Sequence, residues 1–162
     1  HPIPRRQRQM CIRDSLIGEQ LRGAPHLERF GVEPIPTGYV VFSPGGKVGE
    51  VGDAELIEGG QEDIVYSYAL TAKMFGFKAL YLEAGSGATS QVDVGSIKSA
   101  RQVDELCLIV GGGIRTGEQA AIAAKSGANW VVTGTLTEDA SNMEELKQRV
   151  SEIVNAIQSS SS

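Results

Sequence analysis

The sequence predicts an α/β fold, a (β/α)8 TIM barrel of which it supplies about the last four strand-helix units, and three observations carry that prediction. Short apolar runs alternate with stretches of helical periodicity, glycine marks every junction, and glycines or polar residues follow the carboxyl end of each strand. A doubly wound sheet shares the first two features. The third favours the barrel, whose loops at that face assemble active sites. An intact barrel takes roughly 250 residues, so about four upstream strands are expected to be missing from a chain of 162.

The elements follow in order from Leu16. Leu16 to Phe30 reads as a helix with Leu21, Ala24 and Leu27 on one face, stopped by Gly31. The first strand is Ile35 to Phe42, and a loop from Ser43 to about Gly60 is long enough to suggest function. A helix over Gln61 to Phe75 presents Ile64, Val65, Tyr68, Ala69, Ala72 and Phe75 at helical spacing and ends at Gly76. Ala79 to Glu83 is the second strand, Val94 to Val103 a modest helix, and Cys107 to Val110 the third strand. Thr116-Gly117-Glu118-Gln119 is a capping-box pattern opening an Ala-rich helix that closes at Gly127. Trp130 to Thr133 is the fourth strand. Ser141-Asn142-Met143-Glu144 is a second capping box, opening a helix with a stripe of Leu146, Val150, Ile153, Val154 and Ile157. The barrel half is expected over residues 16–158, with 159–162 a disordered tail.

Residues 1–15 are expected to be artefactual. Arg5 to Asp14 back-translates to a sequence like the transposase adapter ligated to DNA before sequencing, Ser15 fits its last bases, and His1 to Pro4 sit where a barcode would lie. The rest carries 11 basic against 19 acidic residues. Such a surface repels nucleic acid. No run approaches the roughly 18 apolar residues of a membrane span and no signal peptide opens the chain, so a soluble, cytoplasmic protein is expected. Cys11 and Cys107 lack partners at metal-ligand spacing and read as free thiols; His26, in a polar helical stretch, reads as a surface residue.

The chemistry concentrates at strand ends. In the second strand Leu80 and Leu82 alternate with Tyr81 and Glu83; the leucines suit the helix layer, which turns Tyr81 and Glu83 into the barrel. A carboxylate there is costly unless paired or used, so Glu83 is the candidate functional acid. Gly85-Ser86-Gly87, Gly112-Gly113 and Gly134-Thr135 follow three consecutive strands, and together they form a candidate phosphate cradle in which backbone N–H groups approach an anion without Cβ interference. The first of these runs lacks the third glycine of a dinucleotide fingerprint. Tyr39, opposite Val40 and Phe42, either lines a substrate cleft or packs in the core. Arg115 could reach a phosphate or pair with a surface acid, and is not counted in the site.

Ile35-Pro36-Thr37-Gly38-Tyr39, Val48 to Ala54, Tyr81-Leu82-Glu83-Ala84-Gly85-Ser86-Gly87-Ala88, Val110 to Arg115 and Val132-Thr133-Gly134-Thr135 resemble the carboxyl-terminal half of the geranylgeranylglyceryl phosphate synthases. The resemblance covers nearly all of Leu16 to Ile157. It implies Mg²⁺-dependent transfer of a geranylgeranyl group from its diphosphate to the 3-hydroxyl of sn-glycerol 1-phosphate, the first ether bond of archaeal-type membrane lipids. It implies that Tyr81, Leu82, Glu83, Ala84, Gly85, Ser86, Gly87, Gly112, Gly113, Gly134 and Thr135 hold glycerol 1-phosphate, with Glu83 as acceptor or base for the attacking hydroxyl, and that Tyr39 lines the prenyl groove. It also assigns the Mg²⁺-binding acid and a substrate-binding lysine to a first strand absent here, so that no metal ligand is expected in this chain and the chain alone is expected to be inactive. Ala84-Gly85 favours the geranylgeranyl over a heptaprenyl donor. Homo-oligomers and transient contact with a membrane surface are further expectations of the resemblance.

Two rival readings stay open on the residues alone. A phosphate-handling barrel isomerase would need an acid and a base at strand ends, where Glu83 is the only candidate. A non-catalytic phosphate-binding half-barrel would form a defined dimer that buries its open strand edges.

Overall fold

The computed structural model describes residues 14–52 and 54–160, with side chains from Arg22 onward apart from Val51. It divides into two compact units at the Ile35/Pro36 boundary. Most of the segment expected to be artefactual, residues 1–13, lies outside the described residues.

The first unit contains α1 (Asp14–Arg29). Its end is set by Gly31, whose φ of 62° lets the Val32 N–H reach the Leu27 carbonyl at 3.0 Å and the Gly31 N–H reach Glu28 at 3.0 Å. That double bond satisfies carbonyls the last turn would otherwise leave open, and only glycine takes the left-handed conformation cheaply.

The second unit is a four-stranded parallel sheet in the order β1-β2-β3-β4. Its strands are β1 (Thr37–Val41), β2 (Ala79–Glu83), β3 (Cys107–Gly111) and β4 (Trp130–Val132). Between them lie α2 (Gly46–Val51), α3 (Glu62–Met74), α4 (Val94–Arg101) and α5 (Gly117–Lys125), and after β4 come α6 (Thr135–Glu138) and α7 (Met143–Ser160). Parallel pairing with helical crossovers between successive strands is the arrangement the alternating pattern predicted, and it matches part of a barrel.

Period-two alternation sorts the strand side chains. Val40, Phe42, Leu80, Leu82, Leu108 and Val110 are buried beneath Val65, Ala69 and Ala72 of α3, Ile97 and Ala100 of α4, and Ala120 and Ala123 of α5. Burying each large aliphatic is worth roughly 1.5–3 kcal/mol. On the other face the register aligns Tyr39, Tyr81, Ile109 and Trp130 in one row. Tyr39 and Trp130 at its two ends are 52% and 59% exposed. In a closed barrel that face is the interior.

Several boundaries differ from expectation. The stretch read as a loop from Ser43 to Gly60 contains α2, and Phe42 bridges Ile57, so the chain folds back on the strand it has just left. Ile64 and Tyr68 on α3, and Phe75 at its C-cap, are exposed. At about 100° per residue all three fall on one flank of the line Val65–Ala69–Ala72, so the contact is narrower than the apolar arc. Val150 and Val154 of α7 are exposed for the same reason, while Ile153 is buried. The capping box at Thr116 forms as predicted, with Gln119 reciprocating. At α7 the cap moves one residue: Asn142 Oδ1 accepts the Glu145 N–H at 2.9 Å, and Glu145 reaches back to the Ser141 N–H at 2.9 Å. That helix also continues to Ser160, past the point where a disordered tail was expected. Among the described residues no helix is long and apolar enough to cross a membrane.

Candidate active site

The loops that follow β2, β3 and β4 enclose a cleft of about 120 Å³ lined by Tyr81, Glu83, Ser86, Gly87, Gly112, Gly113, Ile114, Val132, Thr133, Gly134 and Thr135. Alternation along β2 delivers Tyr81 and Glu83 to it, and the strand's end puts Glu83 at the rim of the sheet.

Glu83 is 7% exposed and held at both oxygens. The Gly85 N–H donates to Oε1 at 2.6 Å, and the Tyr39 hydroxyl donates to Oε2 at 3.2 Å. The second bond is possible because β1 and β2 pair with Tyr39 opposite Tyr81, and the two rings stack with centroids 4.7 Å apart and planes 5° from parallel. Each carboxylate oxygen can accept a further bond, so the group stays available to a ligand hydroxyl.

The glycines are fitted to this carboxylate. A Cβ on Gly112, whose φ is 79°, would strike Glu83 Oε1 and come within 2.6 Å of the Gly85 nitrogen. One on Gly85 would lie 2.9 Å from the Gly45 carbonyl carbon, so the loop after β1 closes on the loop after β2 by backbone against backbone. Gly134 differs: nothing lies within 4 Å of its Cβ position. The hydroxyl of Thr133 donates to the Ile114 carbonyl at 3.0 Å and ties the last two loops together.

Of the residues expected in the site, Tyr81, Glu83, Ser86, Gly87, Gly112, Gly113, Gly134 and Thr135 line the cleft together. Gly85 stands behind them, binding Glu83 through its N–H. Tyr39 touches the site through Glu83 and Tyr81, and packs on the exposed sheet face rather than in the core. Leu82 and Ala84 point the other way, into the apolar cluster beneath the helices, and Leu82 is 0% exposed. Ile114, Val132 and Thr133 also line the cleft; the sequence placed them in motifs of the resemblance but not among the expected site residues. Their positions beside the two later glycine runs were the available signal.

Burial, then the charge of Glu83 and the bond to it, push the Tyr39 phenol up to about 12. Burial and the neighbouring Glu83 carboxylate raise Tyr81 as well. A tyrosine in the unfolded chain titrates near 10, so the folded chain keeps protons that the unfolded chain releases. This contribution to stability is complete below about pH 10 and is lost as pH rises toward about 12. Tyr39→Phe is therefore expected to lose less stability than the natural chain between about pH 9 and pH 11. Urea midpoints at the two values check this, and equal losses in both proteins would refute it.

Magnesium coordination does not fit the described residues. Glu83 is the only carboxylate lining the cleft, and no group of three or more His, Cys, Asp or Glu side chains placed to hold a metal occurs among the described residues.

The comparisons with known proteins bear on this geometry. The PcrB family pattern matches residues 13–156. The chain belongs to the PcrB family. This PcrB-family chain is 45% identical over 139 residues to the geranylgeranylglyceryl phosphate synthase of Methanothermobacter marburgensis, covering 86% of the chain and 56% of that relative. It is 43% identical over 142 residues to the synthase of the same name from Pyrococcus horikoshii, covering 88% of the chain and 56% of that protein. It also superposes with a TM-score of 0.83 and 40% identity on the Thermoplasma acidophilum (S)-3-O-geranylgeranylglyceryl phosphate synthase solved in complex with substrate sn-glycerol-1-phosphate, over 88% of the chain and 57% of that structure. The chain thus spans about half the length of the PcrB-family relatives it matches.

Proposed function

We propose that this chain is the carboxyl-terminal half of a geranylgeranylglyceryl phosphate synthase, which transfers a geranylgeranyl group to the 3-hydroxyl of sn-glycerol 1-phosphate. The observation that carries the reading is Glu83, a buried carboxylate held by Gly85 and Tyr39 at the edge of a glycine-walled cleft. A phosphate in that cleft meets the backbone N–H groups of three loops. A glycerol hydroxyl on the same ligand then reaches Glu83. The carboxylate accepts the hydroxyl proton, the oxygen forms the ether bond to the allylic carbon, and diphosphate leaves with the electron pair of the broken C–O bond. In this reading the phenols of Tyr39 and Tyr81 stay protonated at neutral pH and orient the carboxylate.

By this reading the Mg²⁺ ligands belong to the part of the synthase outside this chain. The prenyl diphosphate site is assigned there too, with Tyr39, bonded to Glu83 at the cleft, available to the prenyl chain. Homo-oligomers and membrane-surface contact during product release are part of the same proposal.

The test is complementation. The chain alone, given geranylgeranyl diphosphate, sn-glycerol 1-phosphate and Mg²⁺, is expected to form no ether product, whereas its fusion to the amino-terminal half of the Methanothermobacter marburgensis synthase is expected to do so. Turnover by the chain alone would sink the half-enzyme reading. A folded but inactive fusion would sink the assigned activity.

A further inference from the structure

A phosphate in the cleft meets a formal charge of the wrong sign, because Glu83 is the only charged side chain among the lining residues. Backbone N–H dipoles hold anions, yet a phosphate beside a carboxylate also needs a compensating cation. Arg115, which lines the neighbouring cavity with Asp139, Arg149 and Glu152, is a cation that reaches a loop of the cleft. Its backbone N–H donates to Gln119 Oε1 at 2.7 Å, the same oxygen accepts the Thr116 N–H at 3.1 Å, and Thr116 Oγ1 accepts the Gln119 N–H at 3.2 Å. The capping box of α5 therefore fixes the backbone from which the Arg115 side chain starts.

From that anchor the guanidinium crosses to the neighbouring loop, where Nη2 donates to the Gly87 carbonyl at 3.2 Å. Gly87 lines the cleft and has a φ of 77°, and the Ala88 N–H closes a turn on the Gly85 carbonyl at 3.1 Å. One side chain thus joins the loop after β2 to the loop after β3. Its partner is a carbonyl of the glycine turn, not the surface acid that the sequence left open.

We infer that Arg115 is a further phosphate-binding residue: it pins the Gly85-Ser86-Gly87 turn through the Gly87 carbonyl and sets a positive charge at the cleft edge that offsets Glu83. The inference rests on the proposed reading of the cleft as a phosphate site. A guanidinium suits both tasks, since its fork can keep the carbonyl while another N–H turns to the anion.

Inorganic phosphate titrated into the full chain by calorimetry, at about 0.05 M and about 0.5 M salt, tests it. Arg115→Met is expected to bind phosphate about tenfold more weakly at low salt, and to lose most of the salt dependence. Arg115→Lys keeps the charge without the fork and is expected to stay within about threefold of the natural chain, with its salt slope retained. Arg115 is exposed, so both variants should melt with the natural chain. If the Met variant does not, the salt slope of the Lys variant decides, and a flat slope overturns the inference. Equal affinity and slope in the natural chain and the Met variant would overturn the role of Arg115 while leaving the cleft reading intact. No phosphate binding by the natural chain would overturn both.

Discussion

Gly112→Ala is expected to destabilise the chain by at least about 2 kcal/mol and to abolish phosphate binding. The backbone at Gly112 is left-handed, with φ 79°, and a Cβ there would meet Glu83 Oε1 along with the Gly85 nitrogen at 2.6 Å and the Gly85 oxygen at 2.8 Å. Two of those three atoms are backbone, so relief requires the whole turn after β2 to move. The move would break the 2.6 Å bond from the Gly85 N–H to Glu83 and leave a buried carboxylate short of a donor. Gly134→Ala is the contrast. Its φ is −103° and its Cβ position is open, so stability should change by less than about 0.5 kcal/mol. Paired urea melts and phosphate titrations separate the two; a Gly112→Ala chain that melts with the natural one would show that the turn is not under the constraint described.

Glu83→Gln should lower turnover of the complemented synthase by roughly 10²- to 10⁴-fold while leaving the KM for sn-glycerol 1-phosphate within about threefold. The amide is nearly isosteric and can still accept the Gly85 N–H through its oxygen. It cannot take the hydroxyl proton. The split between kcat and KM is what distinguishes a base from a residue that merely shapes the cleft. A parallel loss in KM would assign Glu83 to binding, and kcat within about threefold of the natural value would remove it from the chemistry.

How much of this was legible in the sequence varies with how local the signal is. The strand Ala79–Glu83 could be read to the residue because period-two alternation, a preceding Gly76 and a following Ala84-Gly85 all agree. The capping box at Thr116 was legible for the same reason: its two bonds join residues three apart. The short helix α2 was not, since Gly-Lys-Val-Gly-Glu-Val has two poor helix formers in six residues and no N-cap side chain. The exposed flank of α3 was hidden because an apolar arc does not say how much of it a neighbour will cover. At the site, Glu83 and the three glycine runs were visible as strand-end punctuation. The bond from Tyr39 to Glu83 spans 44 residues and depends on the β1–β2 register, which no local pattern records. Arg115 was visible but undecided, because its partner is a backbone carbonyl and every residue carries one.

The sheet's strand order follows the chain: β1 meets β2, β2 meets β3, and β3 meets β4, each pair separated by a single layer of helix. No strand is inserted between two already in place. Each new strand-helix unit therefore has its docking edge complete before it arrives, and the loops that line the cleft are laid side by side in the order in which they are translated. Lengthening such a sheet by another unit at either side leaves every existing pairing untouched, so the architecture grows by addition alone and never by rearrangement.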